Sequence, residues 1–174
     1  MKIRTGGPDD AAVILSLLDG AVAWLASRGR TGQWGSDPWS TRPAAADRIQ
    51  GYARDHLVRI AEVDGRPAGV CVLAEEPPEY APPVGERELY VRLLVTDRAL
   101  SGSGVGAALI EDARAETRRR GITLLRVDCY GGDDRKLVRQ YEALGFTATD
   151  PFTVAMPDRE PWPGQILEQR LSPA

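Results

Sequence analysis

The stretch Ser101-Gly102-Ser103-Gly104-Val105-Gly106, running directly into Ala107-Ala108-Leu109-Ile110, constrains this chain more than any other part of it. Three glycines within five positions leave the backbone free of Cβ obstruction. A helix-periodic segment follows at once, so several N–H groups can converge on one anion. Immediately upstream, Glu88-Leu89-Tyr90-Val91-Arg92-Leu93-Leu94-Val95 reads as a strand. The unit is therefore strand, loop, glycine turn, helix, an arrangement that commonly holds phosphate-bearing cofactors. A phosphate cradle is expected here, with a merely flexible glycine loop as the plain alternative.

The rest of the chain supplies elements on both sides of this unit. Lys2-Ile3-Arg4-Thr5 reads as an edge strand, and Gly6-Gly7-Pro8 as a turn into a helix. In that helix Ile14, Leu17, Leu18, Ala21 and Leu25 recur at helical spacing, Asp9 and Asp10 suit the first turn, and the end falls near Gly29. The irregular segment 31–41 carries Trp34 and Trp39, either to anchor itself on the core or to wall a substrate pocket. A second helix is expected over 43–54. Strands follow over 57–63 and 66–74, joined by Asp64-Gly65, a strong hairpin signal. Segment 75–87, with Pro77, Pro78, Pro82 and Pro83 around Tyr80, is too rich in proline for a helix or a central strand.

Beyond the glycine turn, Val105, Ala108, Leu109 and Ala113 mark the buried stripe of a helix that stops at Gly121. A strand over 122–129 and a helix over 134–144 come next, the helix carrying Leu137, Val138, Tyr141 and Leu144 on one face. Short strands are expected over 146–149 and 166–171, separated by a loop with Trp162 between Pro161 and Pro163. With 174 residues and neither an internal repeat nor a linker, the expectation is one domain spanning 1–174.

Composition narrows the function. A formal net charge of -3 without like-charge blocks argues against nucleic acid as the main ligand, and the Arg118-Arg119-Arg120 triplet suits a helix C-terminus. Asp9 and Asp10 precede the first apolar segment and Asp19 interrupts it, so no signal peptide and no membrane partner are expected and the chain is read as cytoplasmic. Cys71 and Cys129 sit in apolar runs without partner spacing, and His56 is the single histidine, so no metal site is expected.

Two cofactor readings compete for the glycine turn. Gly102, Gly104 and Ala107 satisfy the dinucleotide pattern G-x-G-x-x-A, and Asp128 stands where a ribose-binding carboxylate would suit it. Against a nicotinamide-dependent oxidoreductase, Thr96 to Ser101 intervene between strand and turn, and only about 45 residues remain after Asp128 for further βα units.

The second reading takes in more of the chain. The run LLVTDRALSGSGVGAALIEDA followed by LRVDCYGGDDRKLVRQYEALGF resembles the GCN5-related N-acetyltransferase (GNAT) family. In that family the pyrophosphate of acetyl-CoA binds a turn written R/Q-x-x-G-x-G/A, which falls here on Ser101 to Gly106. Gly104 and Gly106 match, and Ser101 departs from the family's Arg or Gln. Tyr141-Glu142-Ala143-Leu144-Gly145-Phe146 looks like the family's Y-E-x-L-G-F signature, which implies Tyr141 as general acid toward the departing sulfur. The resemblance implies an α/β (α+β) fold with a mixed, mostly antiparallel sheet of about six to seven strands and about four helices. It further implies acetyl-CoA as acetyl donor, held by Leu94, Val95, Thr96, Ser101, Gly102, Ser103, Gly104, Val105, Gly106 and Ala107. The thioester carbonyl would meet a main-chain N–H near Val95, and a small-molecule or peptide amine would be the acceptor. A homodimer is compatible with this reading. A non-catalytic acyl-CoA-binding or sensor module is the rival of a different class.

Chemistry adds one requirement. An alkyl ammonium of pKa roughly 10 must lose its proton before attack, a handicap of about 4 kcal/mol at neutral pH. A base is therefore useful, and Glu88 and Tyr90, alternating onto one face of the strand before the glycine turn, are candidates beside Glu75 and Glu76. The acceptor pocket is expected among Trp34, Trp39, Tyr80 and Trp162, because large aromatics concentrate in segments without regular structure.

Overall fold

A computed structural model describes residues 1–173. Among them, seven strands form one sheet: β1 (Lys2–Thr5), β2 (Leu57–Val63), β3 (Arg66–Ala74), β4 (Leu89–Thr96), β5 (Leu124–Tyr130), β6 (Thr147–Met156) and β7 (Arg159–Arg170). Their order is β1-β2-β3-β4-β5-β7-β6. Helices α1 (Ala11–Ser27), α2 (Pro43–Asp55), α3 (Val105–Arg119) and α4 (Lys136–Ala143) complete it. β4 and β5 run parallel, whereas β1–β2, β2–β3, β5–β7 and β6–β7 are antiparallel, the mixed architecture expected above. The chain packs as two compact units, Met1–Ala74 with Leu93–Ala113, and Glu75–Arg92 with the chain from Arg114 onward.

In the first unit the periodicities translate directly into a core. Ile14, Leu18 and Ala21 of α1 meet Ile49 and Ala53 of α2, Val58 and Ile60 of β2, Val70 and Val72 of β3, and Leu93 and Val95 of β4. Each fully buried aliphatic side chain of this kind contributes about 1.5–3 kcal/mol relative to exposure. The run Pro8–Ser27 has the length and the mean hydropathy, 1.5, of a membrane-crossing segment. Its buried residues Ile14, Leu18 and Ala21 supply one wall of this core. The β2–β3 hairpin turns through Asp64 (φ 53°) and Gly65 (φ 73°), the two left-handed residues that a two-residue type I′ turn requires. Arg4 pairs with Asp10 at 2.9 Å and with Glu62 at 2.7 Å, tying the start of the chain to β2.

The second unit packs Leu124, Leu125 and Val127 of β5, Ile166 and Leu167 of β7, and Val138 and Tyr141 of α4 out of solvent. Here the structure corrects one expectation. The last two strands are longer than their apolar cores, and Trp162 lies within β7 opposite Val154 of β6, not in a loop. Pro161 and Pro163 are tolerated because of where their backbone faces. The carbonyl of Pro163 accepts from Gly131 N–H at 2.9 Å, so the side on which proline lacks an N–H points away from β6.

Candidate functional site

The glycine turn is built by hydrogen bonds that leave the start of α3 open. Leaving β4, the Asp97 carboxylate accepts from Ala99 N–H at 2.9 Å and sets a single 3₁₀ turn, Arg98–Leu100. The Leu100 carbonyl then accepts from Ser103 twice, from N–H at 3.1 Å and from the hydroxyl at 2.6 Å. Gly102 (φ 83°) and Gly104 (φ 86°) hold left-handed conformations, and a Cβ built on either meets nothing within 4 Å. Glycine is thus required for its backbone, and the surrounding space is open. The first α3 bond here runs from Ala108 N–H to the Gly104 carbonyl at 3.0 Å. The N–H groups of Val105, Gly106 and Ala107 therefore project from the helix end, where they and the helix dipole favour an anion.

What fixes this helix end in place was not visible in the sequence. A Cβ on Gly69 of β3 would lie 2.8 Å from Val105 Cγ1, 3.0 Å from Leu109 Cδ1 and 3.2 Å from Thr96 Cγ2. Gly69 is therefore the seat into which α3 settles. Asp112 on the same helix pairs with Arg59 of β2 at 2.7 Å. Among the residues expected to hold the donor, Thr96, Val105 and Gly106 meet around this seat, and Leu94, Val95 and Ala107 belong to the same unit.

The candidate bases fare differently. Glu88 is buried, and both its oxygens are taken by Arg126 of β5, one by Nη2 at 2.8 Å and the other by Nε. Removing one partner of such a pair leaves an uncompensated buried charge, so Glu88 is held as a counter-ion and not presented to an acceptor. Tyr90 is fully buried beneath that guanidinium, its hydroxyl donating to Asp128 Oδ2 at 2.6 Å. Burial, with the Asp128 carboxylate next, drives the Tyr90 pKa far above tyrosine's range. Tyr90 is thus a permanent donor. Glu75 pairs with Arg87 at 2.6 Å on the surface.

The aromatic residues separate into two groups. Trp34 and Trp39 form an edge-to-face pair, ring centroids 6.2 Å apart, and both pack on the core of the first unit. Ser40 donates from backbone and hydroxyl to Asp19, so this segment is clamped to α1. Tyr80 and Trp162 share the second unit with Phe152. Tyr80 stacks on Phe152 at 4.7 Å and Trp162 stands 6.1 Å from it. Tyr141 is buried edge-on to Phe146, centroids 5.7 Å apart.

Asp128, read as a ribose ligand under the dinucleotide pattern, instead accepts Oδ2 bonds from Tyr90 at 2.6 Å and Tyr80 at 2.9 Å. Burial raises its pKa against the pull of these hydroxyls and of Arg92. The sheet, too, lacks the run of parallel βα units that a doubly wound fold would need. Among the described residues no three His, Cys, Asp or Glu side chains gather to hold a metal ion.

Known proteins agree with this architecture. The model of the acetyltransferase (GNAT) family matches residues 21–146. Acetyltransferase Atu2258 of Agrobacterium fabrum is 30% identical over 95 residues, covering 53% of this chain and 67% of that protein. A GCN5-related N-acetyltransferase structure from Rhodopseudomonas palustris superposes with a TM-score of 0.72 at 20% identity, over 98% of this chain and 95% of that one. An acetyltransferase from Salmonella typhimurium, solved with its cofactor acetyl-CoA, gives 0.65 at 19% identity, over 100% and 95%. At these identities the structural likenesses speak for the fold.

Proposed function

Because the chain belongs to the acetyltransferase (GNAT) family, we propose that it moves an acetyl group from acetyl-CoA to a primary amine of a small molecule or peptide by direct attack. The observation that carries this reading is the open end of α3. Three N–H groups project there, behind a glycine turn whose positive φ values and empty surroundings suit close approach of a pyrophosphate. Ser101, where the resemblance expects Arg or Gln, leaves the cradle to the backbone.

In the reaction so proposed, a main-chain N–H near Val95 polarises the thioester carbonyl as negative charge gathers on its oxygen. The amine nitrogen attacks the carbonyl carbon, the C–S bond breaks, Tyr141 gives a proton to the departing sulfur, and the proton the nitrogen sheds as the amide forms restores the tyrosine through solvent. Glu88 does not act as base in this scheme. Its pair with Arg126 holds β4 and β5 in register on the face that carries Tyr90 and Asp128.

The test is thiol release from acetyl-CoA with a panel of primary amines, alongside calorimetric binding of CoA. Turnover with at least one amine is expected. CoA binding without thiol release for any amine would favour the binding-module alternative. Tyr141→Phe keeps the ring and removes the hydroxyl, and should lower kcat by roughly 10²-fold with acetyl-CoA binding intact. A near-wild-type kcat where chemistry limits the rate would make Tyr141 a packing residue.

A further inference from the structure

One face of the second unit gathers more chemistry than the acetyl-transfer scheme uses. Along β5, Arg126, Asp128 and Tyr130 alternate onto the same side, and the parallel ladder to β4 ends at Val91–Val127, just before Asp128. Opposite Tyr130 lies Gly164 of β7, and opposite Gly164 lies Phe152 of β6. A Cβ on Gly164 would come within 2.2 Å of Phe152 Cζ, so the glycine lets that ring lie flat over the strand. Tyr80 stacks on the ring at an interplanar angle of 18°, and Trp162 bridges it to Tyr130 at 5.6 Å. The side chain of Asp128 thus stands on a face walled by Tyr80, Phe152, Trp162 and Tyr130.

The two oxygens of Asp128 are not equivalent. Oδ2 accepts both tyrosine hydroxyls, while Oδ1 accepts no hydrogen bond from the described residues. A carboxylate has room for about four such bonds. Of the cations on the same face, Arg126 is consumed by Glu88, while Arg92 donates from Nη1 to the Glu76 carbonyl at 3.0 Å and acts on Asp128 only through its charge. Tyr80 is 46% exposed, and Asp128 itself is only partly buried. A packing role would be served as well by a neutral amide accepting the same two hydroxyls, without the cost of a partly buried charge.

We propose that Asp128 receives the ammonium group of the acceptor through Oδ1 and takes its proton, and that the acceptor carries an aromatic or apolar body beside its primary amine. This rests on the acetyl-transfer reading. The step is R–NH₃⁺ with Asp–COO⁻ giving R–NH₂ and Asp–COOH. The freed nitrogen pair forms the amide bond as the C–S bond breaks, the second proton shed by nitrogen replaces through solvent the one Tyr141 gives to sulfur, and the Asp proton leaves to solvent after product departs. Two features favour the assignment. Burial raises the Asp128 pKa toward that of the amine, making the carboxylate a stronger base than a solvated one. Aromatic faces attract ammonium groups and stack on ring-bearing bodies.

The closing experiment compares 2-phenylethylamine with 2-phenylethanol, isosteres that differ in charge, by calorimetry on the full chain. It then measures thiol release from acetyl-CoA with the amine. Wild type should bind the amine about tenfold or more tighter than the alcohol, and Asp128→Asn should abolish that preference. In turnover Asp128→Asn should lower kcat/KM for the amine roughly 10²-fold or more while leaving the KM for acetyl-CoA unchanged. Equal affinity of wild type for amine and alcohol overturns the proposal without any variant, so it stays exposed to test even if Asp128→Asn fails to fold. Amine-dependent thiol release that Asp128→Asn leaves unchanged also overturns it, while acetyl transfer stands. An Asp128-dependent preference for the amine with no thiol release from any amine sustains the ammonium site and sinks acetyl transfer instead.

Discussion

The glycine turn and the aromatic face around Asp128 are built on opposite principles. The turn has almost no side chains to offer: its chemistry is a set of backbone N–H groups, and its specification is a short string of glycines and a helix start. The aromatic face is all side chains, contributed by the 75–87 loop and by β4, β5, β6 and β7 and assembled through register. A backbone site is written contiguously. A side-chain site is scattered through the sequence and becomes legible only once the strands are aligned.

The largest effect that would sharpen this contrast lies beneath the aromatic face. Glu88→Ala leaves the Arg126 guanidinium buried without its counter-ion, and should cost about 3–5 kcal/mol of stability, read from the urea midpoint. Arg126→Met together with Glu88→Gln should recover much of it. A Glu88→Ala protein as stable as wild type would mean that the pair is not holding β4 to β5. Gly69→Ala comes next. Its methyl meets Val105, Leu109 and Thr96 side chains at 3.2 Å or less, so α3 must shift on β3, costing about 1–3 kcal/mol and loosening CoA binding along with it. Unchanged stability and affinity would show that α3 does not need this seat. The smallest effect separates stability from affinity. Gly106 has helical geometry and its Cβ would meet only Thr96 Cγ2 at 3.9 Å, so Gly106→Ala should raise stability by up to about 1 kcal/mol. Because the turn R/Q-x-x-G-x-G/A admits Ala at this position, the same change should leave CoA affinity unaltered in calorimetry, and a marked loss would show that the bound phosphate presses on this Cα.

The sequence-based reading succeeded where information is local. Helix periods, the Asp64-Gly65 hairpin and the glycine turn each specify structure within a few residues, and the elements up to α4 fall within a few positions of where they were expected, whereas β6 and β7 run well beyond their expected bounds. It did less well where meaning depends on a partner distant in the chain. Glu88 looks like a solvated base until Arg126, arriving from another strand, claims both its oxygens. Asp128 carries no motif of its own, and the two tyrosines that orient it come from a proline-rich loop and from β4. The proline pair around Trp162 signalled a loop because the direction of a backbone carbonyl cannot be read from composition. Alternation along β5 was the one available hint, since it puts Arg126 and Asp128 on a common face.

The order of the strands has a consequence for colloidal behaviour. At one margin of the sheet stands β1, four residues long, and at the other β6, which carries Pro151 and two register shifts against β7. A short strand offers little backbone to an incoming neighbour, and a proline with bulges breaks the row of donors that a growing ladder would need. The β-rich chain is thereby guarded against edge-to-edge propagation into fibrils. Straightening β6, by replacing Pro151 with a β-branched residue, would remove part of that guard.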